Sequence, residues 1–339
     1  MTRARFPVLI AALIAALVAA ATPSLAQSKA KAQNVPEIPY DSVPNFFKLP
    51  PNLYFGEGIG IATNSKGHVF VYTRSGDTRL FEFDQNGAFV REIGQGLYGL
   101  VFAHAVRVDK DDNVWIVDEG SNMVIKFNPA GRVVMTIGRR PEAVEELTNF
   151  TGQGAYTGAN KPYSFNRPTD VAWDSHDNVF VTDGYGNSRV VKIAPGGHWL
   201  KWVGTWGTGP NQFNIVHSVA VDAQDNVYAA DRNNHRIQVY DNNLNFIRSI
   251  TGMGAPWGLC IPRPDASGKQ IIYSSDGTSG RLYKIDLASG KVVGWAQTSL
   301  GRGEDDAGRL VHEIGCKDPD VVYLGSAILW NVTKVTIKQ

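Results

Sequence analysis

Seven histidines occur in this 339-residue chain. Three of them open similar stretches: HAVRVDKDDNVWIVDEG from His104, HSVAVDAQDNVYAADRN from His217 and HEIGCKDPDVVYLGSA from His312. Brought to one point, three imidazoles make a nitrogen donor set with an open fourth position, which is the arrangement of a catalytic zinc. Such sites also accept copper, nickel or iron, so zinc is the expected ion within a wider class. The other histidines, His68, His176, His198 and His235, fall in turns or outer strands and are expected to be solvated.

A second set of side chains shares another repeat position, just after the Asp or Thr that ends each second strand. Blade one (defined below) has Arg74 there, blade four Arg232, and blade three Gly184 followed by Tyr185. Arginine offers a fixed fork of donors suited to a carboxylate. A phenol beside a cation and a metal can have its pKa lowered enough to serve as a base. Asp118, Asp183, Asp231 and Asp276 recur at one position and read as structural, bonding the backbone of the turn that follows. Glu313, next to His312, is a candidate ligand for a second, harder cation such as calcium.

Positioning these groups falls to a repeated unit. Each clear copy alternates apolar and polar residues, turns through an Asp/Asn/Gly cluster and alternates again, the pattern of two strands joined by a short turn. A third strand (MVIKFN, RVVKIA, RIQVYD) and a fourth (RVVMTIG, HWLKWVG, NFIRSI) follow, and four antiparallel strands make one propeller blade. Weaker copies start at Gly58, Pro256 and His312, giving six blades and an all-β, six-bladed propeller over 58–339. Aligned blades put Ile59, His104, Thr169, His217, Trp257 and His312 in one slot at the start of the innermost strand. Histidines in alternate blades of six stand about 120° apart around the axis. Since blade six stops after its third strand, KVTIKQ, the strand-like NFFKLP at 45–50 is expected to supply the fourth and close the ring.

Residues 1–26 read as a secretory signal: Arg3 and Arg5, an apolar run from Val8 to Ala21, then Ser24-Leu25-Ala26. An export route to the periplasm or the exterior follows, with residues 27–57 as an N-terminal segment before the propeller. No later stretch approaches the ~20 apolar residues of a transmembrane helix, so no membrane attachment is expected once the signal is removed. A net charge of +1 without a basic cluster argues against nucleic acid. Cys260 and Cys316 are the two cysteines, and their spacing decides neither pairing nor freedom. The expected state is a monomer acting on a small molecule.

Over nearly all of the mature chain the sequence resembles the NHL-repeat propellers. The stretch FNRPTDVAWDSHDNVFVTDGYGNSRVVKI, continuing through QFNIVHSVAVDAQDNVYAADRNNHRIQVY, resembles the peptidyl-α-hydroxyglycine α-amidating lyase family. That resemblance implies His104, His217 and His312 as zinc ligands, Tyr185 as catalytic tyrosine, Arg74 and Arg232 as active-site arginines, and Glu313 at the place of an aspartate that holds a structural calcium. The implied reaction splits the N–C bond of an α-hydroxyglycine amide into an amide and glyoxylate. This chain departs from the family at Gly186, which stands where a cysteine adjoins the tyrosine, and at Glu313 itself. With no copper monooxygenase domain ahead of the propeller, the substrate class widens to other α-hydroxy-acid amides or ureido analogues. The long link 139–167, with TGQGAYTG inside, is expected to form a lid or pocket wall on the metal face. Two rival readings are a non-catalytic propeller that binds a protein or cell-wall ligand, and a lactone or ester hydrolase using metal-bound hydroxide.

Overall fold

A computed structural model describes residues 32, 35–43, 45–97, 99–140, 162–298, 311–327 and 330–338. The proposed signal and most of the proposed lid, 141–161, lie outside these residues. The described chain forms six four-stranded antiparallel sheets arranged as the blades of a propeller. Blade two is representative, with Ala103–Val108 innermost, then Val114–Asp118, Met123–Phe127 and Val133–Gly138.

Burial follows position in the blade. Second strands such as Val114–Asp118 and Val179–Asp183 are buried throughout, whereas fourth strands such as Trp199–Val203 are largely exposed. Continuous apolar runs inside and alternation outside are what two-faced packing between blades requires. The apolar clusters lie between neighbouring blades: Val117, Val124 and Ile137 of blade two pack with Val171, Val181 and Val191 of blade three. A cluster joining Ile61 and Phe81 of blade one to Tyr323 and Val332 of blade six completes the circle.

The ring closes through an N-terminal strand, but not the one expected. Tyr40–Val43 pairs antiparallel with Val332–Ile337, from Tyr40 opposite Ile337 to Val43 opposite Lys334. NFFKLP instead makes a single parallel bridge, Lys48 with Ala88. Phe47 is buried among Phe55, Phe83 and Tyr323 at the seam of blades one and six. An outer edge strand needs little apolar content, so the polar, mostly exposed YDSV carries the pairing while the phenylalanines are drawn into the core. Blades five and six are further joined by a Cys260–Cys316 disulfide, with a Cα–Cα separation of 5.9 Å.

Candidate metal centre

Every slot residue except Thr169 sits in a register irregularity at the start of its innermost strand. The shifts fall between Gly58 and Gly60, Ala103 and Ala105, Val216 and Val219, Pro256 and Leu259, and Val311 and Ile314. A bulge adds an unpaired residue and turns its side chain away from the regular alternation. Here it swings His104, His217 and His312 toward the axis.

The three imidazoles form a nearly regular triangle, with ring centroids 4.7 Å (His104–His217), 4.7 Å (His104–His312) and 4.8 Å (His217–His312) apart. All three side chains are buried, and their ligand atoms lie within 4.8 Å of one another. The alternate slot residues hold them: Nδ1 of His104 donates to the Thr169 carbonyl at 2.5 Å, Nδ1 of His217 to Trp257 at 2.9 Å, and Nδ1 of His312 to Ile59 at 3.3 Å. A carbonyl only accepts, so the proton resides on Nδ1 and each Nε2 presents a lone pair. Burial pushes each histidine well below its usual range and keeps it neutral, reinforced at His104 by His312, Arg74 and Arg232, at His217 by His104, Arg232 and His312, and at His312 by Arg74 and Arg232. Nε2 of His312 is buried and has no hydrogen-bond partner. Three neutral, inward-facing nitrogens with one such orphan fit a borderline transition metal such as zinc, and among the described residues no other three His, Cys, Asp or Glu side chains converge in this way.

Tyr185 reaches the same point from blade three. Its hydroxyl lies 3.1 Å from Nε2 of His217 and 3.4 Å from Nε2 of His104, and it accepts from Nη1 of Arg232 at 3.4 Å. The turn that carries it needs glycine: a Cβ on Gly184 would stand 1.8 Å from the Val216 carbonyl. Backbone bonds from Tyr185 to the Arg167 carbonyl (3.4 Å) and from Gly186 to the Asn166 carbonyl (3.0 Å) fix this turn, with Gly186 where the resembling family has a cysteine. Burial pushes the Tyr185 phenol up, opposed by Arg232 and Arg74. The expected pull of Arg232 toward the phenolate is therefore present, but burial outweighs it.

Arg74 reaches the site from blade one, held by Glu57 (Nε to Oε2, 2.6 Å) and by the Ala103 carbonyl (3.3 Å) and lying over the Phe102 ring. Arg232 stacks over Trp257 at 4.5 Å. Two charged neighbours escaped the sequence reading. Glu119 is buried, pairs with Arg167 and lies 3.9 Å from Arg74. The Arg167 guanidinium in turn lies 5.1 Å from the Tyr185 ring centroid. Glu119 follows Asp118 just as Arg232 follows Asp231, so the repeat position that singled out Arg74 and Arg232 would have found it.

Asp118, Asp183 and Asp231 tie two segments each, while Asp276 accepts from Thr278 N and Ser279 N in the turn that follows it. Asp118 accepts from Ser121 N in the following turn and from Val101 N and Phe102 N in the link before its blade. Asp183 and Asp231 likewise accept from Asn166 N and Asn214 N. His68 pairs with Glu82 and His176 with Asp225, away from the hub. Glu313 points elsewhere: its Oε1 accepts from Arg107 at 2.8 Å. A calcium site needs six to eight oxygens free to coordinate. Arg107 already stands against Oε1 while Oε2 is buried without a hydrogen-bond partner, so a calcium at Glu313 would share the carboxylate with a fixed positive charge and does not fit.

Fold and hub together define the class: a six-bladed propeller with a three-histidine axial site. The NHL repeat family model matches residues 165–193 and 213–240. A probable peptidyl-alpha-hydroxyglycine alpha-amidating lyase of Caenorhabditis elegans is 24% identical over 283 residues, 73% of this chain and 75% of that one. Peptidylglycine alpha-amidating monooxygenase of Rattus norvegicus is 32% identical over 300 residues, spanning 81% of this chain but 28% of that longer protein. NHL repeat-containing protein 3 of Mus musculus is 32% identical over 249 residues, 69% of this chain and 64% of its own. Among solved structures, a streptogramin B lyase superposes with a TM-score of 0.56 at 12% identity, over 89% of this chain and 98% of that one, a likeness of fold. The chain belongs to the NHL-repeat propeller family that includes the peptidyl-α-hydroxyglycine α-amidating lyases.

Proposed function

We propose that this chain is a zinc-dependent lyase that converts an α-hydroxyglycine amide, or a related α-hydroxy-acid amide, into an amide and glyoxylate, working outside the cytoplasm. The observation that supports this most is the place of the Tyr185 hydroxyl, between the inward nitrogens of His104 and His217 and the Arg232 guanidinium. Hydrolysis by metal-bound hydroxide has no need of a phenol there, and neither does a propeller that only binds a partner.

His104, His217 and His312 would hold the ion, which when bound supplies Lewis-acid polarisation of the substrate hydroxyl oxygen. Arg74, already fixed by Glu57 and the Ala103 carbonyl, clamps the substrate carboxylate and orients the carbinol carbon. Tyr185 takes the hydroxyl proton. The oxygen's electrons then form the aldehyde carbonyl, the carbon–nitrogen bond breaks, and the leaving nitrogen takes up a proton to become the amide. Arg232 favours the phenolate in which Tyr185 starts, and the phenol formed by taking that proton returns it to the leaving nitrogen. Glu119 holds Arg167, and lies near Arg74, at the edge of this face.

The test is incubation of zinc-loaded protein with α-hydroxyhippurate and measurement of glyoxylate and benzamide. Equal amounts of both products are expected. Zinc-loaded protein that releases neither from this or related α-hydroxy-acid amides would overturn the lyase reading.

A further inference from the structure

Arg107 leaves the innermost strand of blade two three residues after His104 and extends along the axis. Its guanidinium meets four other blades. Nε and Nη2 donate to the two carboxylate oxygens of Asp170 in blade three at 2.9 and 2.6 Å. Nη2 also reaches Ser218 Oγ of blade four at 3.4 Å, the Leu259 carbonyl of blade five at 3.3 Å and Glu313 Oε1 of blade six at 2.8 Å. Nη1 donates to the Ile314 carbonyl at 3.1 Å. Asp170 and Glu313 are fully buried.

Two carboxylates, a hydroxyl and two carbonyls converging on one point are the hard oxygen donors of a divalent-cation site. The positive centre among them is supplied by the chain. We propose that Arg107 is a built-in cation that takes the place of a divalent metal at this second axial position, tying blades two to six together without calcium. The geometry favours a guanidinium for this, since one planar group can donate to several acceptors around its edge. Its carboxylate partners depend on it: with Arg107 gone, two buried carboxylates face each other and two inward carbonyls lose their donor. A cage with that surplus of negative oxygen would take up calcium. This inference stands apart from the reaction proposed above, because its readouts are calcium binding and melting.

The experiment uses zinc-loaded protein, and the probe is calcium chloride. Wild type is expected to bind no calcium in titration calorimetry and to show no change of Tm with millimolar calcium. Arg107→Ala is expected to melt about 5–10 °C lower, to bind calcium, and to regain roughly half of the lost Tm when it does. The double variant R107A/E313Q should show no such rescue. Stoichiometric calcium in the wild type that disappears in Glu313→Gln overturns the proposal, and this arm needs no Arg107 variant to fold. Calcium rescue of R107A that is no greater than that of the double variant overturns it as well.

Discussion

His312 in the last blade donates its Nδ1 proton to the carbonyl of Ile59 in the first, 3.3 Å away and 253 positions earlier in the chain. The third imidazole is therefore oriented only when the propeller is closed. The hub is a property of the ring and not of any one blade. His104 and His217 lean on Thr169 and Trp257 in the same way, so all six slots serve it, three through imidazoles and three through carbonyls.

Protonation of the hub should be visible in stability. Burial depresses all three imidazoles well below 6.5 in the folded protein, while in the unfolded chain they titrate near about 6.5. On acidification below that value the unfolded state takes up protons that the folded state refuses. Their contribution is thus complete above about 6.5 and is lost as pH falls further, by at most ~1.4 kcal/mol per histidine per pH unit. Melting of metal-free wild type and His217→Gln between about pH 7.5 and 5.5 should give the shallower slope in the variant. Equal slopes would show that His217 protonates alike in both states.

Tyr185→Phe removes one oxygen next to His217 and His104 without touching a ligand nitrogen. Zinc content should stay unchanged while glyoxylate release falls by about 10²–10⁴-fold, the usual range for a lost proton-transfer group. Near-wild-type turnover would remove Tyr185 from the chemistry.

Gly184→Ala sets a Cβ against the Val216 carbonyl, at 1.8 Å if nothing moves. The turn must shift, at a cost of about 1–3 kcal/mol, and it carries Tyr185 with it. Turnover measured well below Tm should fall further than stability does. A variant that matches wild type in both would show that the turn has room.

The disulfide closes a long stretch, Cys316 lying 56 positions after Cys260. Loop-closure entropy sets its contribution at about 4 kcal/mol. C260S/C316S should melt lower and still carry its zinc, because the bond lies at the far ends of the innermost strands from the histidines. An unchanged Tm would contradict this.

What could be read from the sequence was whatever the repeat makes periodic. The histidine slot, the positions of Arg74, Tyr185 and Arg232, and the structural aspartates all fall at fixed distances from the Asp/Asn/Gly turn, so aligning the blades places them. Glu119 obeys the same rule, but its equivalents are two arginines, Arg74 and Arg232, and two glycines, Gly184 and Gly277, so no acidic residue is expected there. Arg167 carries no such mark, being drawn in by its pairing with Glu119. The closing strand differs from the expected one because YDSV is polar and NFFKLP apolar: core packing captures the phenylalanines, and edge pairing needs only backbone. Nor does any local pattern announce Arg107, whose partners Asp170, Leu259 and Glu313 meet only around the axis.

Metal analysis tests most directly whether three imidazoles converge on one ion. Protein purified without chelator and desalted should carry about one equivalent of zinc per chain, bound through nitrogen as seen by X-ray absorption, and folded His217→Ala should carry almost none. Folded wild type that holds no transition metal after exposure to zinc, or His217→Ala that retains the wild-type amount, would contradict the account.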